Sequence, residues 1–154
     1  MPKIDIASAP ERRGSGYPAP FHEPCANRVR KRLGDAGGLT QFGVNLLTLP
    51  PGVWSSQRHW HTAEDEFVTV LSGEVVLITD AGEQVLHPGD CAAFPKNDGN
   101  GHHLVNRSAM PAVCLEVGSR RPDEDAVDYP DIDLRIEGKG GIFTHKDGTP
   151  YPKR

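Results

Sequence analysis

The chain has 154 residues and a formal net charge of -4, and this length fits one domain with a single core. A mildly acidic chain is a poor candidate for general nucleic-acid binding, which depends on neutralising phosphates. The sequence has neither a signal-peptide-like N-terminus nor an apolar run of about eighteen residues, so we expect a cytoplasmic protein with no membrane span. Three widely spaced cysteines, Cys25, Cys91 and Cys114, predict no disulfide framework.

Residues 1–38 are polar and rich in proline and glycine, with little hydrophobic periodicity. We predict an extended N-terminal arm here, ordered by packing against the rest of the chain or against a second subunit. A basic cluster at residues 28–32 lies within this arm. It is predicted to be a solvated or partner-facing surface rather than a nucleic-acid contact.

Residues 39–118 predict one short strand after another. Apolar residues in this range do not recur with the 3.6-residue period of a helix. Turn-forming residues separate the strands at intervals of about eight to twelve positions, a pattern that is typical of a sandwich or barrel. The predicted strands cover residues 41–49, 53–61, 66–71, 74–79, 84–86, 91–94, 102–107 and 112–117.

The sequence changes in character over residues 119–154. Residues 120–125 form a polar linker, and residues 131–137 alternate apolar with charged side chains. That alternation predicts a half-buried strand at the edge of a sheet. We make no structural prediction for the Gly-rich tail from Gly138 onwards.

The strongest chemical signal is a pair of histidines, His59 and His61, followed by the acid Glu66. Side chains of a strand point alternately to opposite faces, so the two histidines share a face, about 6.6 Å apart at Cα. Glu66 begins the next predicted strand and can meet them across the ladder. His102, at an inward-facing position of a later strand, supplies a third imidazole. Three imidazoles and a carboxylate predict a transition-metal site.

Two choices within this set stay open, and one neighbour is a further candidate. Glu64 and Asp65 are alternative acids, and His103 is an alternative to His102. Gln57 shares the predicted strand face of the two ligand histidines. We predict that its side chain hydrogen-bonds a metal ligand or the substrate, the alternative being a polar residue at the barrel mouth.

The spacing around these residues carries a family resemblance. The first group reads Gly, six residues, His-x-His, four residues, Glu, six residues, Gly, and its members are Gly52, His59, His61, Glu66 and Gly73. The second group contains Gly89, Pro95, Gly99, His102 and Asn106, with two more residues between the proline and the following glycine than the family pattern has. Both groups, in this order, resemble the two motifs of the cupin superfamily. The resemblance covers residues 40–118.

This resemblance implies an all-β fold, the double-stranded β-helix or jelly-roll barrel, over residues 39–118. Residues 1–38 and 119–154 would then be terminal arms. Small cupins commonly pair sheet against sheet, and the predicted strand at residues 66–71 is apolar on both faces. We therefore expect a homodimer that binds a small molecule, without nucleic-acid or membrane partners.

The resemblance also implies a metal cofactor. One divalent ion of Fe, Mn, Ni, Cu or Zn would leave open positions for water, substrate or dioxygen, and its implied ligands are His59, His61, Glu66 and His102. Such a cupin is expected to be a metal-dependent enzyme acting on a small oxygenated substrate, with sugar-phosphate isomerase, dioxygenase or decarboxylase/lyase chemistry. The alternative is a non-catalytic, metal-bearing sensor or binding module. No arginine or lysine cluster is evident among the residues predicted to face the cavity, which argues against a phosphorylated substrate.

Overall fold

The computed structural model describes residues 3–138 and 141–154. Residues 1–2 of the predicted N-terminal arm and residues 139–140 of the predicted tail lie outside the described residues. The strands are β1 (Glu11–Arg13), β2 (Val29–Arg32), β3 (Phe42–Leu49), β4 (Trp60–His61), β5 (Glu66–Ser72), β6 (Val75–Thr79), β7 (Gly82–Leu86), β8 (Cys91–Phe94), β9 (His103–Val105), β10 (Ala112–Ser119), β11 (Val127–Tyr129), β12 (Leu134–Ile136) and β13 (Phe143–Thr144).

Helical structure is minor within these ranges. It consists of one short helix, α1 (Leu33–Ala36), and two 3-10 turns, Ile6–Ser8 and Glu23–Cys25. In the described part of the chain, no helix has the length and apolar character that a membrane crossing requires. The three cysteines are all free thiols, in agreement with the sequence analysis.

The strands form three antiparallel sheets around one core. Their strand orders are β1-β2-β3-β10-β5-β8, β13-β12-β11-β4 and β7-β6-β9. Leu47, Val70 and Cys114 face inward from the six-stranded sheet and pack against Leu77 and Leu104 of the three-stranded sheet. Alternation along each strand explains this, because every second residue is apolar and turned to the interior. The predicted all-β barrel class is therefore confirmed.

The predicted strand at residues 53–61 is wrong for most of its length. Only Trp60–His61 pairs as a strand, and the residues before it run irregularly between the N-terminal arm and the barrel. Ser55 shows the reason, because its carbonyl oxygen accepts hydrogen bonds from the guanidinium groups of Arg28 and Arg30. Polar backbone groups here are satisfied by side chains of the arm rather than by a continuous ladder.

The N-terminal arm forms an edge of the largest sheet. β1 and β2 extend it beyond β3, and Arg30 on β2 lies opposite Leu47 on the inward face. Arg28, immediately before β2, is only 7% exposed. The solvated surface predicted at residues 28–32 is therefore wrong for these two arginines, because strand alternation turns every second side chain inward.

The C-terminal segment also joins the barrel. The strand predicted at residues 131–137 is present as the shorter Leu134–Ile136, and Leu134 is fully buried. It lies between β11 and β13 rather than at a sheet edge, because the chain returns along it as β13. β11 pairs with β4, and Val127 lies opposite His61. The segment therefore forms one wall of the region that contains the ligand histidines.

Gly73, in the hairpin between β5 and β6, generates a prediction about stability. Its φ is +75°, and a Cβ built there would lie 2.5 Å from the carbonyl oxygen of Pro111. We expect Gly73→Ala to lower the free energy of unfolding by more than about 1 kcal/mol, measured by chemical denaturation. Gly52→Ala is the matched control, since Gly52 has φ +82° and open space around its added Cβ. Equal losses in the two variants would contradict the predicted clash.

Candidate metal centre

Three imidazoles surround one carboxylate inside the barrel. Nε2 of His59 and Nε2 of His61 lie 3.5 and 3.3 Å from oxygens of Glu66. Nε2 of His102 lies 2.7 Å from Glu66 Oε2. The donor atoms of His59, His61 and Glu66 all lie within 4.8 Å of one another. The structure thus brings together the four residues that the sequence analysis selected.

Strand pairing explains why these side chains converge. His59 and His102 exchange two backbone hydrogen bonds, of 3.2 and 2.9 Å, so they lie directly opposite each other. His61 follows two residues after His59 and projects to the same side. Phe94 pairs with Glu66 across β8 and β5, and its ring stacks on that of His102 with 3.6 Å between centroids. This stacking fixes the plane of the third imidazole.

The donor set fits a divalent transition metal. An ion with bonds of about 2.1 Å holds neighbouring donors about 3 Å apart, and the Nε2-to-carboxylate distances are 2.7, 3.3 and 3.5 Å. Glu66 Oε2 is buried and makes no hydrogen bond within the described residues, although His102 Nε2 is close to it. That arrangement is expected of donors that aim at a common ion rather than at each other.

The second ring nitrogen of two ligand histidines is held by an acceptor. His59 Nδ1 donates to the carbonyl oxygen of Gln57 at 2.8 Å, and His61 Nδ1 donates to Asp125 Oδ2 at 2.6 Å. A carbonyl or carboxylate oxygen can only accept, so Nδ1 carries the hydrogen and Nε2 is the nitrogen that can bind a metal.

The charges at the site also suit a cation. Burial alone would raise the pKa of Glu66, but the surrounding imidazoles, His59 first, bring that pKa well below its usual range. Burial lowers the pKa of His102 despite its contact with Glu66. Burial also opposes protonation of His61, yet hydrogen bonds to Asp125 and Glu66 raise its pKa to about 10. The carboxylate is therefore ionised, and a bound cation would replace the proton on His61 Nε2.

The alternative acids are engaged elsewhere. Asp65 is exposed and accepts the backbone N–H of Lys96 at 2.8 Å. Glu64 accepts the backbone N–H of Arg121 at 2.5 Å. Glu64 also lies 3.7 Å from His61, but from Nδ1 and not from the nitrogen that faces Glu66. Neither acid therefore competes for the central position.

His103 and Gln57 both make contacts away from the ligands. His103 Nδ1 donates to the carbonyl oxygen of Ser56 at 2.9 Å, and its ring packs edge-on against Trp54. The side-chain amide of Gln57 donates to the carbonyl oxygen of Phe21 at 2.8 Å. Gln57 thus contacts the first ligand histidine through its backbone oxygen, and its side chain binds the arm. The irregular course of this segment produces the difference from the predicted strand geometry.

Asp125 contacts a candidate ligand histidine and was not selected from the sequence; with His61 and Glu64 it forms a second group of side chains whose donor atoms could hold an ion. The linker that contains it is predicted only to be polar, yet Asp125 is 7% exposed and its second oxygen accepts the backbone N–H of Ala63 at 2.9 Å. It comes 64 residues after His61, the ring that it holds. No motif connects residues that far apart, and the acidic run 123–125 was the only signal.

The metal-binding group lies in a cavity of about 530 Å³, a volume that accommodates a small molecule. Glu66 and the imidazoles line one side. Arg12, Arg30 and Glu116 line the other side, from the inward faces of β1, β2 and β10. The expectation that no arginine cluster faces the cavity is therefore wrong, because the arm supplies arginines that the barrel strands lack.

Comparison with known proteins identifies the family. A model of the cupin domain matches residues 45–118. The crystal structure of a cupin described as a sugar phosphate isomerase, from Silicibacter pomeroyi, is 49% identical, covers 98% of this chain and 97% of its own, and has a TM-score of 0.91. A candidate sugar phosphate isomerase from Acidithiobacillus ferrooxidans is 34% identical, with coverages of 84% and 83% and a TM-score of 0.73. The chain belongs to the cupin superfamily.

More distant structures share the fold alone. A polyketide cyclase from Streptomyces resistomycificus is 18% identical, covers 79% of this chain and 82% of its own, and has a TM-score of 0.61. A search of curated proteins finds no match.

Asp125 generates a prediction about metal affinity. We expect Asp125→Asn to weaken metal binding by about 10- to 100-fold, because an amide is a weaker acceptor for the His61 Nδ1–H and orients the ring less firmly. The measurement is titration of metal-free protein with Zn²⁺ in competition with a chelator. Asp123→Asn, at an exposed acid of the same linker, is the control and should bind normally. Unchanged affinity in Asp125→Asn would contradict this role.

Proposed function

We propose that this cupin is a metal-dependent aldose–ketose isomerase acting on a small phosphorylated sugar. One observation carries the proposal: the cavity has two chemically different sides. Three imidazoles and the Glu66 carboxylate occupy one side, and arginines from the arm occupy the other. An open-chain sugar phosphate has the same polarity, with a carbonyl and a hydroxyl at one end and an anion at the other.

A divalent ion of Fe, Mn, Ni, Cu or Zn bound by these residues would polarise the carbonyl and hydroxyl oxygens of the sugar. The chain itself shapes the space beside the ligands. Glu66 pairs with Gly118 on β10, and Gly118 pairs in turn with Gly43 on β3. Neither glycine has a side chain, and the guanidinium group of Arg120 lies over Gly43, 3.4 Å from a Cβ built there. Arg120 therefore adds a further positive group to the cavity lining.

The arginine side of the cavity suits a phosphate. Arg12 lies opposite Arg30 across β1 and β2, and both line the cavity. Arg30 is paired with Glu116 at 2.7 Å, whereas Arg12 forms no salt bridge within residues 3–138 and 141–154. A guanidinium group can bind a phosphate through two parallel N–H donors. The 49% identity to the protein described as a sugar phosphate isomerase also supports this substrate class.

The first test is metal content and isomerase activity. We expect about one transition metal per chain and interconversion of aldose and ketose phosphates, from trioses to hexoses, followed by NMR. Chelation should abolish turnover, and added metal should restore it. A double variant with His59→Ala and His61→Ala should lose the metal and still fold as a barrel, because the ligands lie outside the apolar core cluster.

Matched variants sharpen this test. Arg12→Gln should raise KM for phosphorylated sugars but not for unphosphorylated ones, whereas Arg13→Gln, on the outward face of β1, should change neither. Metal retained by the double histidine variant would contradict the ligand assignment. Oxygen uptake or release of carbon dioxide would favour oxygenase or decarboxylase chemistry. Metal and sugar binding without turnover would favour a sensor or binding module.

We also propose that two copies pair through the outer face of the six-stranded sheet. Val44, Val117 and Phe67 lie side by side on β3, β10 and β5, next to the pair of Leu46 with Leu115. Phe67 is 39% exposed. A contiguous apolar patch without a charged member in its centre suits a self-complementary contact between identical subunits.

The dimer generates its own prediction. We expect the mass in solution, measured by light scattering, to equal two chains. Leu71→Glu, at a 50% exposed position of β5, should shift it towards one chain by placing a charge in the apolar patch. Val85→Glu is the matched control, since Val85 is 49% exposed but lies on the three-stranded sheet. A parent protein with the mass of one chain would contradict the proposal.

A further inference from the structure

An aldose–ketose isomerase must move a proton between two neighbouring carbons, and Glu66 is occupied by the imidazoles. Within the described residues, the cavity is lined by two acids, Glu66 and Glu116. We propose that Glu116 is the catalytic base that carries this proton. The inference rests on the proposed isomerase function and adds to it the residue that performs the transfer.

The sheet register places Glu116 beside the metal-binding group. Glu66 on β5 pairs with Gly118 on β10, and Glu116 lies two residues earlier on β10, opposite Val68. Two residues along a strand return the side chain to the same face, so both acids point into the cavity. Diagonal neighbours of this kind lie about 7–8 Å apart. That separation leaves room for the carbons of a sugar whose oxygens lie next to Glu66.

Arg30 fixes the orientation of the proposed base. Its Nε donates to Glu116 Oε1 at 2.7 Å, and its second terminal nitrogen donates to Oε2 at 3.1 Å. Arg30 also donates to the carbonyl oxygen of Ser55 at 3.2 Å, which anchors the guanidinium group. Each carboxylate oxygen accepts through one lone pair and keeps another. The carboxylate is therefore held in a defined plane with acceptor capacity left for a substrate proton.

The other titratable groups near the cavity are poorer bases. Burial raises the pKa of Tyr17 and brings the pKa of Tyr129 well above its usual value, so both phenols stay protonated at neutral pH. His103 also lines the cavity, but its Nδ1 already donates to a backbone carbonyl oxygen. Its ring is held there by Ser56 and Trp54.

The proposed step conserves atoms and electrons without a further reactant. Glu116 removes the proton from C2 of the open-chain aldose phosphate, the electron pair of that C–H bond forms the C1–C2 double bond, and the π pair of the C1 carbonyl moves to O1. The hydroxyl proton of O2 then passes to O1, Glu116 returns its proton to C1, and the C2–O double bond forms. The product is the ketose phosphate, and the carboxylate is regenerated.

The test variant is Glu116→Gln, which keeps the size of the side chain and removes its basicity. We expect kcat for isomerisation to fall by about 10²- to 10⁴-fold, with KM nearly unchanged. Exchange of the C2 hydrogen of the substrate with solvent deuterium, followed by NMR, should fall by the same factor. Metal content by elemental analysis and sugar phosphate affinity by calorimetry should match those of the parent, because the ligand group is intact.

The chain offers a matched control in Glu83→Gln. Glu83 forms the same two-point pair with Arg107, at 2.6 and 2.9 Å, on the barrel exterior. This variant should show normal exchange and turnover. Glu116→Asp, which retains a carboxylate, should recover part of the exchange that Glu116→Gln loses, and it provides a second test if the amide variant folds poorly.

The outcomes separate this inference from the function on which it rests. A parent protein that isomerises no sugar phosphate contradicts the proposed function itself. Isomerisation by the parent without any solvent deuterium at C1, together with an unchanged kcat in Glu116→Gln, would overturn the proton-transfer role of Glu116, because the hydrogen would then pass directly between the carbons. Normal exchange in Glu116→Gln would also overturn it.

Discussion

The structure is organised around the burial of the Glu66 carboxylate among three imidazoles. Removing a carboxylate from water is costly unless a positive charge lies close to it. Two of the rings, His59 and His61, have Nδ1 held by an acceptor, and hydrogen bonds to Asp125 and Glu66 raise the pKa of His61 to about 10. A cation at the centre would offset the burial of the carboxylate and would bind the Nε2 lone pairs together. Metal binding would therefore stabilise this inner face of the barrel.

Segments outside the matched domain at residues 45–118 complete the site. Arg28 and Arg30, from the N-terminal arm, hold the Ser55 carbonyl oxygen and so position the segment that leads to His59. Asp125, from the C-terminal segment, orients a second ligand histidine. Each terminal segment thus contributes side chains that position a candidate ligand histidine. The terminal segments are structural parts of the site rather than appendages to a finished barrel.

The convergence of the four candidate ligands follows from local rules that the sequence makes visible. Strand alternation puts His59 and His61 on one face, and the spacing to Glu66 turns that acid towards them. The irregular path before His59 could not be predicted in the same way. It depends on Arg30 meeting the carbonyl oxygen of Ser55, 25 residues apart in sequence. The contact of Asp125 with His61 could not be predicted either. Contacts between residues distant in sequence are set by topology, and they produce neither a periodic pattern nor a motif in the sequence.

The two sides of the cavity set the length of molecule that can use both. Along the six-stranded sheet, Arg12 on β1 is four strand spacings from β5 and aligns there with Val70, four residues from Glu66, before the curvature of the barrel shortens the distance. Arg30, on β2, is one strand spacing nearer to Glu66. Its Nε and its second terminal nitrogen, however, already donate to the carboxylate of Glu116. Arg120 also lines the cavity and is paired with Asp35, whereas Arg12 forms no salt bridge within the described residues. For the proposed isomerase, a substrate with its carbonyl beside Glu66 would need an extended carbon chain for its phosphate to reach Arg12.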